Sequence, residues 1–204
     1  MNTIEYAQPE QYHFCQDSVL FPRWIASQLK DQVIENDYRA LDLCSGCGVI
    51  GFELCFLEPR LKFFDFIEIQ TTFSPYWQKN CVQFPERKLQ FHEMNYDSLK
   101  HPEWSARYDL IVGNPPSFEK TEGKLSPSEL NNRCRFFIDS SLESLLIATT
   151  NALKKNGQGF LLVKDGGKHG RQTLRSARLL LADTANVDIT GEIRGTKVFR
   201  LLKK

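Results

Sequence analysis

From Tyr38 onward two hydrophobic patterns alternate along the chain. YRALDLC (38–44), LKFFDFIEI (61–69), LQFHEM (89–94), YDLIVG (108–113) and GFLLVK (159–164) are short apolar runs rich in branched and aromatic residues, the pattern of strands. Between them, VIGFELCFLE (49–58), TTFSPYWQKNCVQF (71–84), RFFIDSSLESLLIATTNALKK (135–155) and RQTLRSARLLLAD (171–183) read as helices, and Asn156-Gly157 offers the third a C-terminal stop. The chain closes with VDITGEIR (187–194) and TKVFRLL (196–202) around Gly195, an antiparallel hairpin. Strand-helix alternation followed by a hairpin predicts an α/β fold: a doubly wound, mostly parallel seven-stranded sheet, antiparallel at its C-terminal edge. Residues 1–37 precede the first strand and contain a helical stretch, SVLFPRWIASQLKDQVI (18–34); they are expected to form an N-terminal helical extension lying over the sheet, and residues 38–204 the main domain. The connection from Asn114 to about Arg133 is long enough to be functional or mobile.

At 204 residues the chain suits one domain that folds without a metal or disulfide. No apolar run approaches the roughly 18 residues needed to cross a bilayer, and MNTIEYAQPEQ is polar where a secretion signal would be basic and then apolar. A cytoplasmic protein with reduced cysteines is the expectation. The overall charge of +1 hides an asymmetry: residues 1–132 carry 12 basic and 19 acidic side chains, residues 133–204 carry 14 and 6. That split fits either an anionic partner for the basic half or two solvated helix faces.

LDLCSGCGVIG (41–51), between the first strand and first sheet helix, supports three chemistries. Cys44 and Cys47 have the spacing of a redox pair or half a zinc site, but Cys15, Cys55, Cys81 and Cys134 are scattered singly, and the four histidines show no ligand spacing. Small apolar fillers in a tight turn suit the pair better, and no metal is expected. Gly46, Gly48 and Gly51 form G-x-G-x-x-G in the strand-loop-helix context of a nucleotide site, with Glu68 placed 20 residues after Gly48 to hold ribose hydroxyls. Those features suit NAD or S-adenosylmethionine. Asp42, in the last turn of the strand, would repel a pyrophosphate and favour a cationic amino acid moiety, which selects S-adenosylmethionine.

GNPPSF (113–118) follows the fourth strand, beside the crevice at the carboxyl ends of the strands. By composition it is a turn. Methylating an amine requires acceptors that hold the NH2 hydrogens and aim the lone pair at the methyl donor; the Asn114 carboxamide oxygen and a carbonyl of the Pro115-Pro116 turn can provide them. Proline fixes φ, so little entropy is lost in holding that geometry.

In LDLCSGCG, FIEIQ and GNPPSF, taken in that order and spacing, the chain resembles the class I, Rossmann-like S-adenosylmethionine-dependent methyltransferases of the Asn-Pro-Pro type. Through YHFCQDSVLF (12–21), FIEIQ (66–70), WQKN (77–80) and the helix after GNPP, it is most similar to bacterial tRNA methyltransferases acting on adenine N6 beside the anticodon of valine tRNA. The resemblance implies a cofactor loop of Asp42, Gly46 and Gly48, with Asp42 near the methionine amino group. It implies Glu68 on the ribose, Ile69 on the adenine ring, Asp97 or else Asn95 on the adenine amine, and Gln16 and Asp17 in an element closing over the cofactor. Asn114, Pro115 and Pro116 would orient the target amine. The family's first loop glycine is Cys44 here, tolerable if φ stays negative, and its aromatic after the prolines is Ser117, so Phe118 is expected to take over stacking through a one-residue bulge. Lys168 and Arg171 in KDGGKHGR (164–171) are candidate RNA phosphate contacts. Alternatives are methylation of a protein glutamine amide, to which SVLFPRW (18–24) bears some likeness, a silent cofactor binder, and an oxidoreductase.

Overall fold

In the computed structural model, residues 4–164 and 173–204 are described. The main sheet comprises β1 (Arg39–Leu43), β2 (Phe63–Glu68), β3 (Lys88–Glu93), β4 (Tyr108–Gly113), β7 (Leu153–Val163), β8 (Ala185–Ile193) and β9 (Thr196–Lys203). The intervening strands β5 (Phe118–Glu119) and β6 (Phe136–Phe137) form a separate small ribbon. The helices are α1 (Asp17–Leu29), α2 (Val49–Leu57), α3 (Ser74–Cys81), α4 (Glu129–Arg135), α5 (Leu142–Ala152) and α6 (Thr173–Leu180). The order across the seven-stranded sheet is β3-β2-β1-β4-β7-β9-β8, parallel as far as β7 and antiparallel at β9 and β8, as the patterning predicts.

Alternate residues of each strand feed two hydrophobic layers. Ala40, Phe64, Phe66, Leu110 and Val112 pack with α1, α2 and α3 through Phe21, Ile25, Phe52, Leu54 and Trp77. Leu41, Leu43, Ile67, Ile111 and Leu161 pack on the other face with α5 and α6 through Leu142, Leu145, Leu146 and Ala177. Burial on both faces explains why the central strands read as continuous apolar runs rather than alternating ones. The chain leaves β1 towards β2 and β3, then returns to β4 on the other side. The topological switch therefore lies between β1 and β4, and the loops leaving their carboxyl ends, 44–48 and 114–117, flank the crevice where such sheets bind ligands.

Two sequence expectations are corrected here. The helix predicted over 135–155 is only Leu142–Ala152. Its apolar start, Phe136 and Phe137, pairs with Phe118 and Glu119 as a strand, and the Ser141 hydroxyl caps the helix by accepting from the Ser144 amide at 3.1 Å. Asn156-Gly157 does not stop that helix. It sits in a bulge within β7, with Asn156 at φ 64°, between the Tyr108–Leu153 and Leu110–Gln158 pairings. The long connection after Asn114 holds structure of its own: β5, a 3₁₀ turn at Lys120–Glu122, α4 and β6.

Candidate functional site

The glycine loop leaves β1 through three residues of positive φ that alternate with two others: Cys44 (56°), Gly46 (55°) and Gly48 (87°). Cys44 thus takes the left-handed conformation, against the negative φ expected, at a cost of about 1–2 kcal/mol for a residue with a Cβ. The glycines serve different ends. A Cβ on Gly48 would lie 2.5 Å from the Phe52 ring and 2.8 Å from Trp77, and one on Gly51 would lie 2.3 Å from the Phe66 ring. Both therefore permit α2 to approach the sheet. Gly46 has only ordinary contacts, with Phe73 at 3.8 Å, and its amide donates to the Glu68 carboxylate at 2.9 Å.

Two recesses border this loop. The larger, of about 660 Å³ including its open mouth, has walls from Gly46, Glu68, Ile69, Asn95, Asn114 and Pro116, all predicted, and from Tyr12, Ile67, Phe73, Met94, Tyr96 and Phe137. The smaller lies against Tyr12, Phe14, Ser18, Ser45 and Val49, and it also reaches Asn114. Apolar walls with a few convergent polar groups suit a nucleoside. The Ser45 hydroxyl, buried and without a hydrogen-bond partner among the described residues, marks the smaller recess as one that accepts a polar group.

Glu68 ends β2 with its carboxylate in the larger recess, where it also accepts from the Gln70 amide at 2.9 Å. Burial raises its pKa; the amides of Gln70, Gly46 and Ile69 oppose that. Asp42 lies beneath the loop and off the walls of both recesses. Its carboxylate accepts from the Gly51 amide at 2.9 Å, which fastens the first turn of α2 to β1. Burial pushes its pKa up to about 8, against the lowering effect of that amide, and Glu68 raises it further. Burial likewise lifts the Cys47 thiol to about 12 and holds Cys44 well above its usual range, so both are protonated packing groups. Among the described residues no cluster of three or more His, Cys, Asp or Glu side chains could hold a metal ion.

Several predicted residues sit elsewhere. Asp97 is occupied: it accepts from Ser140 at 2.7 Å and from Ser144, and pairs with Lys100 at 2.7 Å. Burial raises its pKa, but the Lys100, Ser144 and Ser140 contacts outweigh that and the net shift is downward. Asn95 stands on the recess wall instead, its Oδ1 accepting from the Asp97 amide at 2.9 Å. Gln16 is exposed, and Asp17 faces Arg194 at 3.7 Å; the N-terminal residues that reach the loop are Tyr12, Phe14 and Ser18. Pro115 is buried behind the turn, whereas Pro116 lines the larger recess. Among the described residues the Asn114 carboxamide makes no hydrogen bond, while the Ser117 amide ties the turn to the Arg135 carbonyl at 3.0 Å. Phe118 is not on the recess wall; its ring packs on Phe136, centroids 5.9 Å apart, and Phe136 faces the recess. Lys168 and Arg171 lie outside the described residues. Phe136, Phe137 and Asp139 also line the larger recess; they fall in an apolar run that reads as a helix in the sequence, which conceals them, whereas Tyr12 lies in the YHFCQDSVLF stretch.

No family model matches the chain. It is 28% identical over 149 residues to the tRNA1(Val) (adenine(37)-N6)-methyltransferase of Aeromonas hydrophila, covering 72% of this chain and 57% of that protein. It is 27% identical over 183 residues to the ribosomal protein uL3 glutamine methyltransferase of Neisseria meningitidis serogroup A, covering 83% and 58%. The chain thus spans just under three fifths of the length of these curated relatives. Among solved structures, a SAM-dependent methyltransferase from Aquifex aeolicus superposes with a TM-score of 0.58 at 13% identity, covering 92% of this chain and 91% of that one. TrmN from Thermus thermophilus gives 0.56 at 19%, covering 90% and 49%. The topological switch, the glycine loop and these superpositions together establish that the chain has the Rossmann-like fold of the S-adenosylmethionine-dependent methyltransferases.

Proposed function

We propose that the protein transfers a methyl group from S-adenosylmethionine to an exocyclic amine, with adenine N6 in RNA, and tRNA in particular, as the acceptor. The observation that carries this reading is the position of Asn114, which lines both recesses beside the glycine loop with its carboxamide unpaired among the described residues. The cofactor residues fit: Glu68 would hold the ribose hydroxyls, Ile69 would cover the adenine, and Asn95, rather than the occupied Asp97, would bond the adenine amine. When bound, the cofactor supplies an electrophilic methyl group on a sulfonium.

The chain supplies position rather than a base. The Asn114 oxygen accepts one amine hydrogen and a carbonyl of the Pro115-Pro116 turn accepts the other, which leaves the nitrogen lone pair directed at the methyl donor. The amine loses its proton to water after transfer, so no side chain of tuned pKa is required. The two curated relatives share this amine chemistry in their names and differ in substrate; an adenine amine and a glutamine amide each present an NH2 to the same acceptors.

Labelled S-adenosylmethionine offered to total RNA and total protein in parallel, with Asn114→Ala alongside, tests the reading. Label in RNA that the variant abolishes is the expected result. Label in protein instead moves the acceptor to a glutamine amide. Cofactor binding without label in either leaves a silent binder.

A further inference from the structure

The end of the sheet away from both recesses gathers positive charge around a ring. Arg39, Phe63 and Lys88 open β1, β2 and β3 and are register partners across those strands, so their side chains share one face of the sheet. The Arg39 guanidinium lies 5.3 Å from the Phe63 centroid and the Lys88 ammonium 4.8 Å from it. Phe63 and Arg39 are half-buried, and Lys88 is exposed, as is Lys62 just before β2. Two residues further along β2, Asp65 lies 3.7 Å from Arg107, whose guanidinium sits 4.7 Å from the Trp104 ring. Among the described residues Arg39, Lys62 and Lys88 have no ion-pair partner, whereas Lys154 at the same edge is engaged by Asp109 at 2.7 Å. Arg39, Lys62, Lys88 and Arg107 all belong to residues 1–132, where acidic side chains outnumber basic ones. The fold, not the composition, brings them together.

We propose that this amino-end surface holds the phosphate backbone of the substrate RNA at a distance from its reacting base. Arg39 and Lys88 are the phosphate contacts, and Phe63 is the platform that fixes their stems. This rests on the RNA reading above and gives it a second contact surface, remote from Asn114. A cation laid against a ring has already given up rotamer freedom, so it loses less when a phosphate arrives. The two charges stand within about 10 Å of each other, two strand spacings, so one strand of a helix can touch both. Asn114 follows Gly113, the register partner of Leu43, and Arg39 opens that same strand four residues earlier. Surface and acceptor site are therefore roughly 15 Å apart along the sheet. About five base pairs at roughly 3.4 Å each cover that length, so a single rigid stem reaches both places. A protein offering a glutamine amide needs no polyanion receptor at the far end of the sheet.

Binding of unfractionated tRNA, measured by filter retention at several salt concentrations, tests this surface without requiring methyl transfer. The logarithm of the wild-type affinity should fall linearly with the logarithm of salt concentration. Arg39→Gln and Lys88→Gln should each make that slope shallower by roughly 0.7–0.9, the value of one phosphate contact, and Lys88→Arg should keep the wild-type slope. Phe63→Leu should keep the slope and weaken binding roughly two- to fivefold. Lys79→Gln removes a cation that also lies near a ring, 5.6 Å from the Tyr76 centroid, but on α3; it should leave the slope as it is. Equal melting temperatures and equal S-adenosylmethionine affinities across the variants exclude a folding effect. No tRNA binding, unchanged slopes in both charge variants, or an equal change in Lys79→Gln overturns the surface. So does retention of polyglutamate rather than tRNA that depends on Arg39 and Lys88, which moves the occupant to an acidic protein. Binding as described with no label in RNA would leave this surface standing and sink the methylation reading; label in RNA with all variants binding as wild type would do the reverse.

Discussion

Gly51→Ala tests whether α2 approaches β2 as closely as the fold requires. The added methyl would lie 2.3 Å from Phe66 Cε1 and 2.7 Å from Cζ, where carbon atoms prefer roughly 3.5–4.0 Å. The ring cannot turn aside. Phe52 lies 4.9 Å from it, Phe64 5.2 Å and Trp77 5.4 Å between centroids, and Phe66 is fully buried. The relief available is a shift of α2, which would strain the Asp42 bond to the Gly51 amide and carry the glycine loop with it. Overpacking of this kind costs about 1–3 kcal/mol, and replacing a helical glycine by alanine returns up to about 1 kcal/mol. A net loss of about 1–2 kcal/mol corresponds to a melting temperature lower by roughly 2–8 °C for a chain of this size. Thermal unfolding followed by circular dichroism measures this, with S-adenosylmethionine affinity by calorimetry as the second readout, expected to weaken with the displaced loop. A variant that melts at or above the wild-type temperature would refute the packing argument, because it would mean that the helix does not touch the ring.

Asp42→Asn should flatten the pH dependence of stability. With a folded pKa of about 8 against an ordinary value of 3.8, Asp42 binds a proton in the folded state that the unfolded chain releases, so stability falls as pH rises between those values, by up to about 6 kcal/mol. Denaturant midpoints at pH 5 and pH 8, which span the upper part of that window, should therefore differ less in the variant, and equal differences in both proteins would contradict the raised pKa. Glu68→Gln should weaken cofactor binding by roughly 10- to 150-fold, the worth of charged hydrogen bonds, with the fold retained; calorimetry reads it, and undiminished affinity removes Glu68 from the ribose. Cys44→Gly relieves a left-handed residue worth about 1–2 kcal/mol but loosens the unfolded chain by about 0.4–1 kcal/mol, so the melting temperature should stay level or rise slightly. A clear drop would show that the Cys44 side chain contributes packing beyond its strain.

The order of strands and helices was legible in the sequence because burial on both faces of a parallel sheet leaves continuous apolar runs, and the terminal hairpin is marked by Gly195 at φ 87°. So was the pairing of LDLCSGCG with Glu68 and Asn114, since chain order alone delivers both loops and the β2 end to one edge of a doubly wound sheet. The local fate of RFFID was not legible. An apolar run of that length satisfies a helix or a strand equally, and only the partner strand at Phe118–Glu119 decides. The same limit applied to side chains whose roles depend on neighbours distant in sequence: Asp97, claimed by Ser140 and Ser144 from the start of α5, and Asp42, whose nearest donor is the amide of Gly51. Sequence determines which groups arrive at the carboxyl edge of this sheet. Tertiary structure decides which of them remain unspent there, because a hydrogen bond or ion pair is settled by distance across the fold, and that distance has no signature in one dimension.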